Sequence, residues 1–206
     1  MDIWATIIAA IITGAATILS VWMGRKILKG RSPDPVVSDT AQSANVYTAL
    51  QYTINALKGD RAYVLEFHNG GHYYSGRGQQ KFSCTHEIAA DGITKECSNS
   101  QDHRVSNYHT YISELIEKDS FCYISAQEAP DHAFKNILIT SGVQSIINVP
   151  IKTLSGKIIG ILGVDFVKGQ APQGHMGFGA DSVMRLDDEA LKFLKVQSNI
   201  IAGYLL

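Results

Sequence analysis

Histidine, asparagine and tyrosine side chains concentrate just after a predicted strand, Arg61–Phe67. Four of them, His68, Asn69, His72 and Tyr73, fall on a glycine-rich stretch. Polar and aromatic groups on a loop that follows a strand are a common setting for binding, because a rigid scaffold positions a variable segment. The alternative is that the first two residues only brace a tight glycine turn. We expect this stretch to contribute to a ligand site.

A second predicted strand, Lys81–Ala90, carries three further candidates. Alternate residues of a strand share a face, so Phe82, Cys84 and His86 are expected to point the same way. Tyr108 begins a predicted helix further along the chain. The predicted ligand-binding residues are therefore His68, Asn69, His72, Tyr73, Phe82, Cys84, His86 and Tyr108.

The dipeptide Asp91-Gly92 predicts a tight hairpin turn. If the next segment paired back on the second strand, Cys97 would lie near Cys84 and His86, and His103 would follow. Cysteine and histidine are the usual zinc ligands, but structural sites use regularly spaced pairs, and these residues are irregularly spaced. We predict no metal site. A disulfide between Cys84 and Cys97 stays an alternative for a domain outside the cytoplasm.

The N-terminal segment from Ile3 to Trp22 carries no charged residue. Roughly 20 apolar residues are needed to cross a bilayer as a helix. Tryptophan favours the membrane interface, and Trp4 and Trp22 stand at the two ends. The alternative is a cleaved secretory signal, which requires a basic start and a small-residue cleavage site. We predict a single-pass anchor over residues 1–24, with the lipid bilayer as a partner.

Basic residues follow the predicted span, whereas Asp2 precedes it. These basic residues are Arg25, Lys26, Lys29 and Arg31. The positive-inside rule therefore predicts that the soluble domain, residues 38–206, is cytoplasmic, after a basic, proline-containing linker over residues 25–37. A net charge of −1 without a basic face argues against nucleic acid as a partner.

The order of predicted elements indicates an α+β domain with an antiparallel sheet and helices on its faces. The predicted helices cover Ser38–Lys58, Tyr108–Glu117, Asp131–Ile139 and Asp187–Leu206. The predicted strands cover Arg61–Phe67, Lys81–Ala90, Phe121–Ser125, Val143–Ile151 and Ile158–Phe166. The stretch from Lys168 to Ser182 is rich in glycine and predicts a loop.

The last two predicted strands resemble the GAF domain family. The motifs are Gly-Val-x-Ser-x-x-x-Val-Pro-Ile at 142–151, a Ser-Gly-Lys turn, and Ile-Gly-Ile-Leu-Gly-Val-Asp at 159–165. The resemblance covers roughly residues 40–206. It implies a central antiparallel sheet of about six strands, with the N- and C-terminal helices on one face and a ligand pocket on the other.

GAF domains are sensors or docking modules, so the resemblance implies a module that binds a ligand and acts through a protein partner. It also implies a homodimer through the helices Ser38–Lys58 and Asp187–Leu206. The family's cyclic-nucleotide signature, Asn-Lys-x-Phe-Asp-Glu, is missing from this sequence. The ligand and any cofactor therefore stay unidentified.

Two other functions are weighed against the sensory module. One GAF branch reduces free methionine sulfoxide with cysteines; Cys84 and Cys97 fall near two of its positions, but Cys122 does not match the third. The presumed nucleophile is then absent, and we predict that the chain is not an enzyme. The second alternative is a phage holin of the T type, which the loop His72–Ser75 resembles; its soluble domain would lie outside the cytoplasm.

Overall fold

The computed structural model describes residues 13–23, 34–130, 132–169, 171, 173–176, 183–186 and 188–206. Contacts between Cα atoms divide the chain into two units, Met1–Ala41 and Gln42–Leu206. The fold and the site described below belong to the second unit.

Residues 13–23 form a helix whose apolar side chains are exposed, including Ile18 and Trp22. Half of the predicted membrane span, residues 3–12, lies outside the described residues. Over the residues that the structure does describe, no helix combines the length and the apolarity that crossing a membrane requires.

Six strands form one antiparallel sheet in the order β3-β2-β1-β6-β5-β4. The strands are β1 (Arg61–His72), β2 (Gly78–Ala89), β3 (His103–Arg104), β4 (Phe121–Tyr123), β5 (Ser145–Lys152) and β6 (Ile158–Phe166). The central strands β1 and β6 each belong to a hairpin, β1 with β2 and β6 with β5, and the short strands β3 and β4 lie at the two edges. The predicted α+β fold with a six-stranded antiparallel sheet is confirmed.

Two predicted loops contain strand structure. The glycine-rich stretch after Phe67 continues β1 and turns only at residues 73–77, where Gly76 has a φ of +79°. The predicted loop from Lys168 to Ser182 includes β7 (Gln173–Met176), which pairs with β8 (Val183–Leu186) in a separate small sheet. The glycines of these segments predicted loops. Strand pairing is nevertheless possible there, because its hydrogen bonds join backbone atoms and do not require a side chain.

Four helices cover the sheet: α1 (Pro35–Leu57), α2 (His109–Lys118), α3 (His132–Thr140) and α4 (Asp188–Leu205). Proline at the first position of α1 costs no hydrogen bond, and Asp34 accepts one from the amide of Val36 at 2.8 Å. The helix ends at Leu57 because Lys58 adopts a left-handed φ of 56°. Asp131 and Asp187, the predicted starts of the last two helices, lie outside the described residues.

The sheet separates two cores. On one face, α1 and α4 pack on side chains such as Val64, Leu162 and Val164, which are fully buried. On the other face, α2 and α3 pack on the alternate residues, such as Leu65 and Ile161. We call these the helix face and the cavity face.

A β-bulge interrupts the pairing of β1 with β2. Val64 pairs with His86, but the next residue, Leu65, pairs with Cys84, so Thr85 is an extra residue in β2. An extra residue shifts the alternation of side chains by one position. Residues of β2 before and after Thr85 therefore alternate in opposite phase.

Candidate functional site

The cavity face borders a partly open cavity of about 390 Å³ between the sheet and helix α3. Its walls are mainly apolar, and one end is polar. The lining includes the apolar residues Leu65, Phe82, Cys84, Tyr108, Phe134, Ile137, Leu138 and Val143, and the polar residues Arg61, Tyr63, Glu87, Glu96, Asn99, His103 and Asp165. This volume falls within the range of pockets that hold small organic molecules.

The polar end is organised around the guanidinium of Arg61, whose side chain is buried. Its Nε and Nη2 atoms donate to Oδ2 of Asp165 at 3.0 and 2.8 Å. Its Nη1 atom donates to the carbonyl oxygen of Thr94 at 2.8 Å. Two further carboxylates lie nearby, Glu87 at 3.7 Å and Glu96 at 4.0 Å. The buried end of the cavity therefore holds three carboxylates and one guanidinium.

Burial raises the pKa of Asp165 to about 6, although the guanidinium of Arg61 and the hydroxyl of Tyr63 act in the opposite direction. Glu87 is held as an acceptor, because the backbone amides of Glu96 and Cys97 each donate to it at 2.9 Å. Asp165 is therefore a carboxylate that changes charge near neutral pH.

A second part of the polar network lies deeper against the sheet. The hydroxyl of Tyr63 lies 3.0 Å from Oδ1 of Asn148 and 3.2 Å from Oδ1 of Asp165, so it can donate to either. The amide of Asn148 donates to the hydroxyl of Tyr111 at 2.7 Å. Gly163 makes room for this network, since a Cβ atom there would lie 2.3 Å from the Tyr63 ring and 2.5 Å from Oδ1 of Asn148.

Three of the predicted binding residues line the cavity: Phe82, Cys84 and Tyr108. The rings of Phe82 and Tyr108 meet edge to face with centroids 5.4 Å apart. The Tyr108 hydroxyl also lies 3.0 Å from Nδ1 of His103, and burial lowers the pKa of that histidine. Whether these residues bind a ligand stays a prediction.

The prediction that His86 shares a face with Phe82 and Cys84 is wrong. The bulge at Thr85 shifts the alternation, so His86 pairs with Val64 on the helix face. Its Nε2 atom lies 3.2 Å from the hydroxyl of Ser43, and its ring meets Tyr47 edge to face at 5.2 Å. This histidine packs against helix α1.

The four residues predicted after the first strand form part of the β1–β2 hairpin, outside the cavity lining. His68 and Asn69 pair with Lys81 and Gln80 in the ladder, and His72 is the last residue of β1. The ring of His68 lies 2.9 Å from the hydroxyl of Ser83.

Tyr73 follows β1 and is half-buried. The guanidinium of Arg77 lies 4.8 Å above its ring. The hairpin residues are thus separate from the cavity, which the sequence did not indicate.

Several solved structures share this architecture. The blue-light absorbing PixJ GAF domain of Thermosynechococcus elongatus matches 84% of this chain and 89% of its own, with a TM-score of 0.60 and 12% identity. The GAF domain region of a predicted membrane protein from Geobacter sulfurreducens matches 82% of this chain and 96% of its own, with a TM-score of 0.56 and 12% identity. This chain has the GAF fold.

Two sequence relatives match at a higher identity than these structures do. Nif-specific regulatory proteins of Azospirillum lipoferum and Azospirillum brasilense are each 27% identical to 74% of the chain. The chain spans only 22% of the length of these relatives. No protein-family model matches the chain. The resemblance to phage holins gains no support from these comparisons.

The GAF sheet separates the three cysteines. Cys84 and Cys97 line the cavity, and the thiol of Cys97 donates to the carbonyl oxygen of Cys84 at 3.2 Å. Cys122 packs with the core of the helix face. Burial raises the pKa of Cys84 above its ordinary range and that of Cys122 to about 11. All three are free thiols.

The bulge also separates His86 from the other three residues considered for zinc, Cys84, Cys97 and His103, which line the cavity. His86 lies on the helix face and Cys84 on the cavity face, while Cys97 belongs to a short 3-10 helix, Cys97–Asn99. Within the described ranges, no group of three or more histidine, cysteine or acidic side chains could hold a metal ion.

Sequence reasoning missed the polar end of this GAF cavity. Arg61 begins a strand of β-forming residues, and Asp165 interrupts an otherwise apolar strand. Charged side chains inside buried strands are rare unless they are paired, so these positions carried a usable signal. The sequence did not reveal that β1 and β6 are neighbours, which brings the two charges together.

Proposed function

We propose that this GAF-fold domain is a sensory module that binds a small organic molecule in the cavity. The observation that carries the proposal is a cavity of about 390 Å³ with apolar walls and a fixed, buried polar end. Such a combination binds the apolar body of a ligand and orients its polar group. Regulatory proteins among the sequence relatives support a sensory role.

The test uses a neutral fluorescent probe, N-phenyl-naphthylamine, which becomes bright in apolar pockets. The probe also becomes bright in detergent micelles, so the signal of micelles without protein is subtracted, and the remainder is expected to saturate with the full chain. Ser141 is half-buried at the cavity wall, so Ser141→Trp should fill the opening and weaken binding at least tenfold. Ser113 is exposed on α2, and Ser113→Trp is the matched control that should leave binding unchanged.

Binding that does not saturate, or that falls equally in both tryptophan variants, would refute a ligand site in the cavity. Thermal unfolding of each variant separates loss of the site from loss of the fold.

The sensory module is anchored to the membrane through residues 1–24 and faces the cytoplasm. The uncharged segment and the basic residues after it support this proposal, as does the likeness to a predicted membrane protein. Leu154 is fully exposed, so Leu154→Cys gives a labelling site. A membrane-impermeant maleimide should label this cysteine only in opened cells. Labelling in intact cells would reverse the orientation.

The module acts through a protein partner and forms a homodimer. Apolar side chains that remain exposed on α1 and α4 support the dimer, among them Tyr52, Val196 and Ile200. Sedimentation of the full chain in detergent should give a dimer, and Val196→Glu should shift it toward monomer. A monomeric parent chain would contradict the dimer.

The module is not an enzyme. The placement of Cys122 on the opposite face from Cys84 and Cys97 supports this, since one substrate could not reach all three thiols. Turnover of free methionine sulfoxide by the reduced full chain would overturn it.

A further inference from the structure

The charges at the polar end of the cavity do not balance. Asp165, Glu87 and Glu96 lie 2.8, 3.7 and 4.0 Å from the guanidinium of Arg61. Three carboxylates against one guanidinium leave two negative charges in excess. Among the described lining residues, His103 is the other basic side chain, and its burial favours the neutral form.

The carboxylate of Glu96 is the acceptor that a ligand could reach. Its Oε2 atom accepts from the amide of Asn99 at 2.9 Å, while Oε1 faces Arg61 at 4.0 Å, beyond hydrogen-bond distance. The side chain is 24% exposed, unlike those of Glu87 and Asp165. Glu87 already accepts two backbone amides, and Asp165 is held by Arg61.

We propose that the cavity takes a small amphipathic cation, a protonated amine or guanidinium attached to an apolar body. This proposal rests on the proposed function, since it names the ligand class of the same cavity. The cationic group lies against Glu96 at the acidic end, and the apolar body lies among Phe82, Phe134 and Leu138.

An anionic ligand would meet an opposing field. A carboxylate placed near Arg61 would also approach the three carboxylates that already surround the guanidinium. In a site shielded from water these repulsions are stronger than at a surface. The cavity therefore discriminates by charge as well as by shape.

The experiment compares three ligands that share one apolar chain: hexylamine, hexanol and hexanoate. Each is titrated against the full chain carrying N-phenyl-naphthylamine, and direct binding is measured by calorimetry. Hexylammonium should displace the probe at a concentration at least tenfold below that of hexanol. Hexanoate should be weaker than hexanol.

The variant Glu96→Gln tests which carboxylate is responsible. Glutamine keeps an oxygen that can accept from Asn99, so the fold is retained while one charge is removed. Affinity for hexylammonium should fall about tenfold, with affinity for hexanol unchanged. Glu117 is exposed on α2, and Glu117→Gln removes one charge as a control without effect.

The outcomes separate this proposal from the one before it. Equal displacement by hexylammonium and hexanol, or failure of all three to displace a bound probe, overturns the cation proposal alone. Absence of saturable probe binding overturns the ligand site itself. An equal loss of hexylammonium affinity in both glutamine variants shows non-specific attraction and also overturns the cation proposal.

Discussion

The two faces of the central sheet are built from the same strands and are packed in different ways. On the helix face, α1 and α4 cover aliphatic side chains, and Leu50, Leu194 and Ile201 are fully buried. On the cavity face, the alternate residues include Arg61, Tyr63 and Asp165, and space remains between the sheet and α3.

Under the proposed function, the helix face provides the stability of the fold and the cavity face provides the recognition of a ligand. Close packing of apolar groups stabilises the fold but leaves no space and no polar group for a ligand. A buried ion pair stabilises little, because desolvation offsets the attraction between its charges. If the cavity binds a ligand as proposed, the charges of the cavity face recognise that ligand, and the close packing of the helix face stabilises the fold.

Removal of Arg61 should break the cavity face most severely. Arg61→Met leaves Asp165 and Glu87 buried without their cation, which costs about 3–5 kcal/mol of unfolding free energy. Without the guanidinium, the pKa of Asp165 rises above its present value of about 6. Protonation on acidification then removes the unpaired charge, so the loss should be smaller at pH 5 than at pH 7.5.

Urea denaturation at pH 5 and at pH 7.5 measures the loss of unfolding free energy at each pH, relative to the parent chain at the same pH. In the wild-type chain, burial raises the pKa of Asp165 from 3.8 to about 6. The contribution of this group to the free energy of unfolding therefore falls as the pH rises through that interval, which is the same direction as in Arg61→Met. A loss that is equal at both pH values would contradict a role for the buried carboxylate.

On the helix face, Leu194→Ala should cost about 3 kcal/mol, because the side chain is fully buried and its removal leaves a void. The loss should be independent of pH, since the surrounding core is apolar. Urea denaturation gives the stability, and affinity for N-phenyl-naphthylamine should be unchanged in the folded variant. A large fall in probe affinity would mean that the two faces are coupled.

Gly163→Ala tests the space that the polar network needs. The added Cβ atom would press on the Tyr63 ring and on Asn148, and overpacking of this kind costs about 2 kcal/mol. Gly203 has open space around it, so Gly203→Ala in helix α4 is the control and should stabilise by up to about 1 kcal/mol. Equal effects of the two alanines on the thermal midpoint would disprove the crowding.

The smallest effect is expected from Tyr63→Phe. The change removes a hydroxyl that can donate to Asn148 and Asp165, at a cost of about 1 kcal/mol. The pKa of Asp165 should also rise, because the bond from Tyr63 lowers it. Carboxyl NMR titration measures that pKa. Tyr52 is exposed, so Tyr52→Phe is the control and should leave the pKa of Asp165 unchanged.

The β5–β6 hairpin was predictable because its signals are local. Strand β6 was predicted from residue 158 to residue 166, as observed, and β5 differs by two residues at its start and one at its end. Continuous apolar runs on both sides of a Ser-Gly-Lys turn specify such a hairpin without help from the rest of the chain.

The cavity was less predictable because it depends on contacts between distant segments. Phe82, Cys84 and Tyr108 were found from residue type and alternation. His86 was misplaced because a bulge is set by the partner strand. Arg61 and Asp165 were missed because they are 104 residues apart and meet only across the β1–β6 ladder.

The extra residue Thr85 divides β2 into two segments. Their side chains alternate between the two faces of the sheet in opposite phase. Before the bulge the even-numbered Phe82 and Cys84 line the cavity, whereas the odd-numbered Glu87 does so after it. Deletion of Thr85 would remove the bulge and leave both segments in their present register and on their present faces, whereas a regular strand that kept Thr85 in the ladder would turn one segment over. Among related chains, we therefore expect the bulge and the extra residue to be gained or lost together.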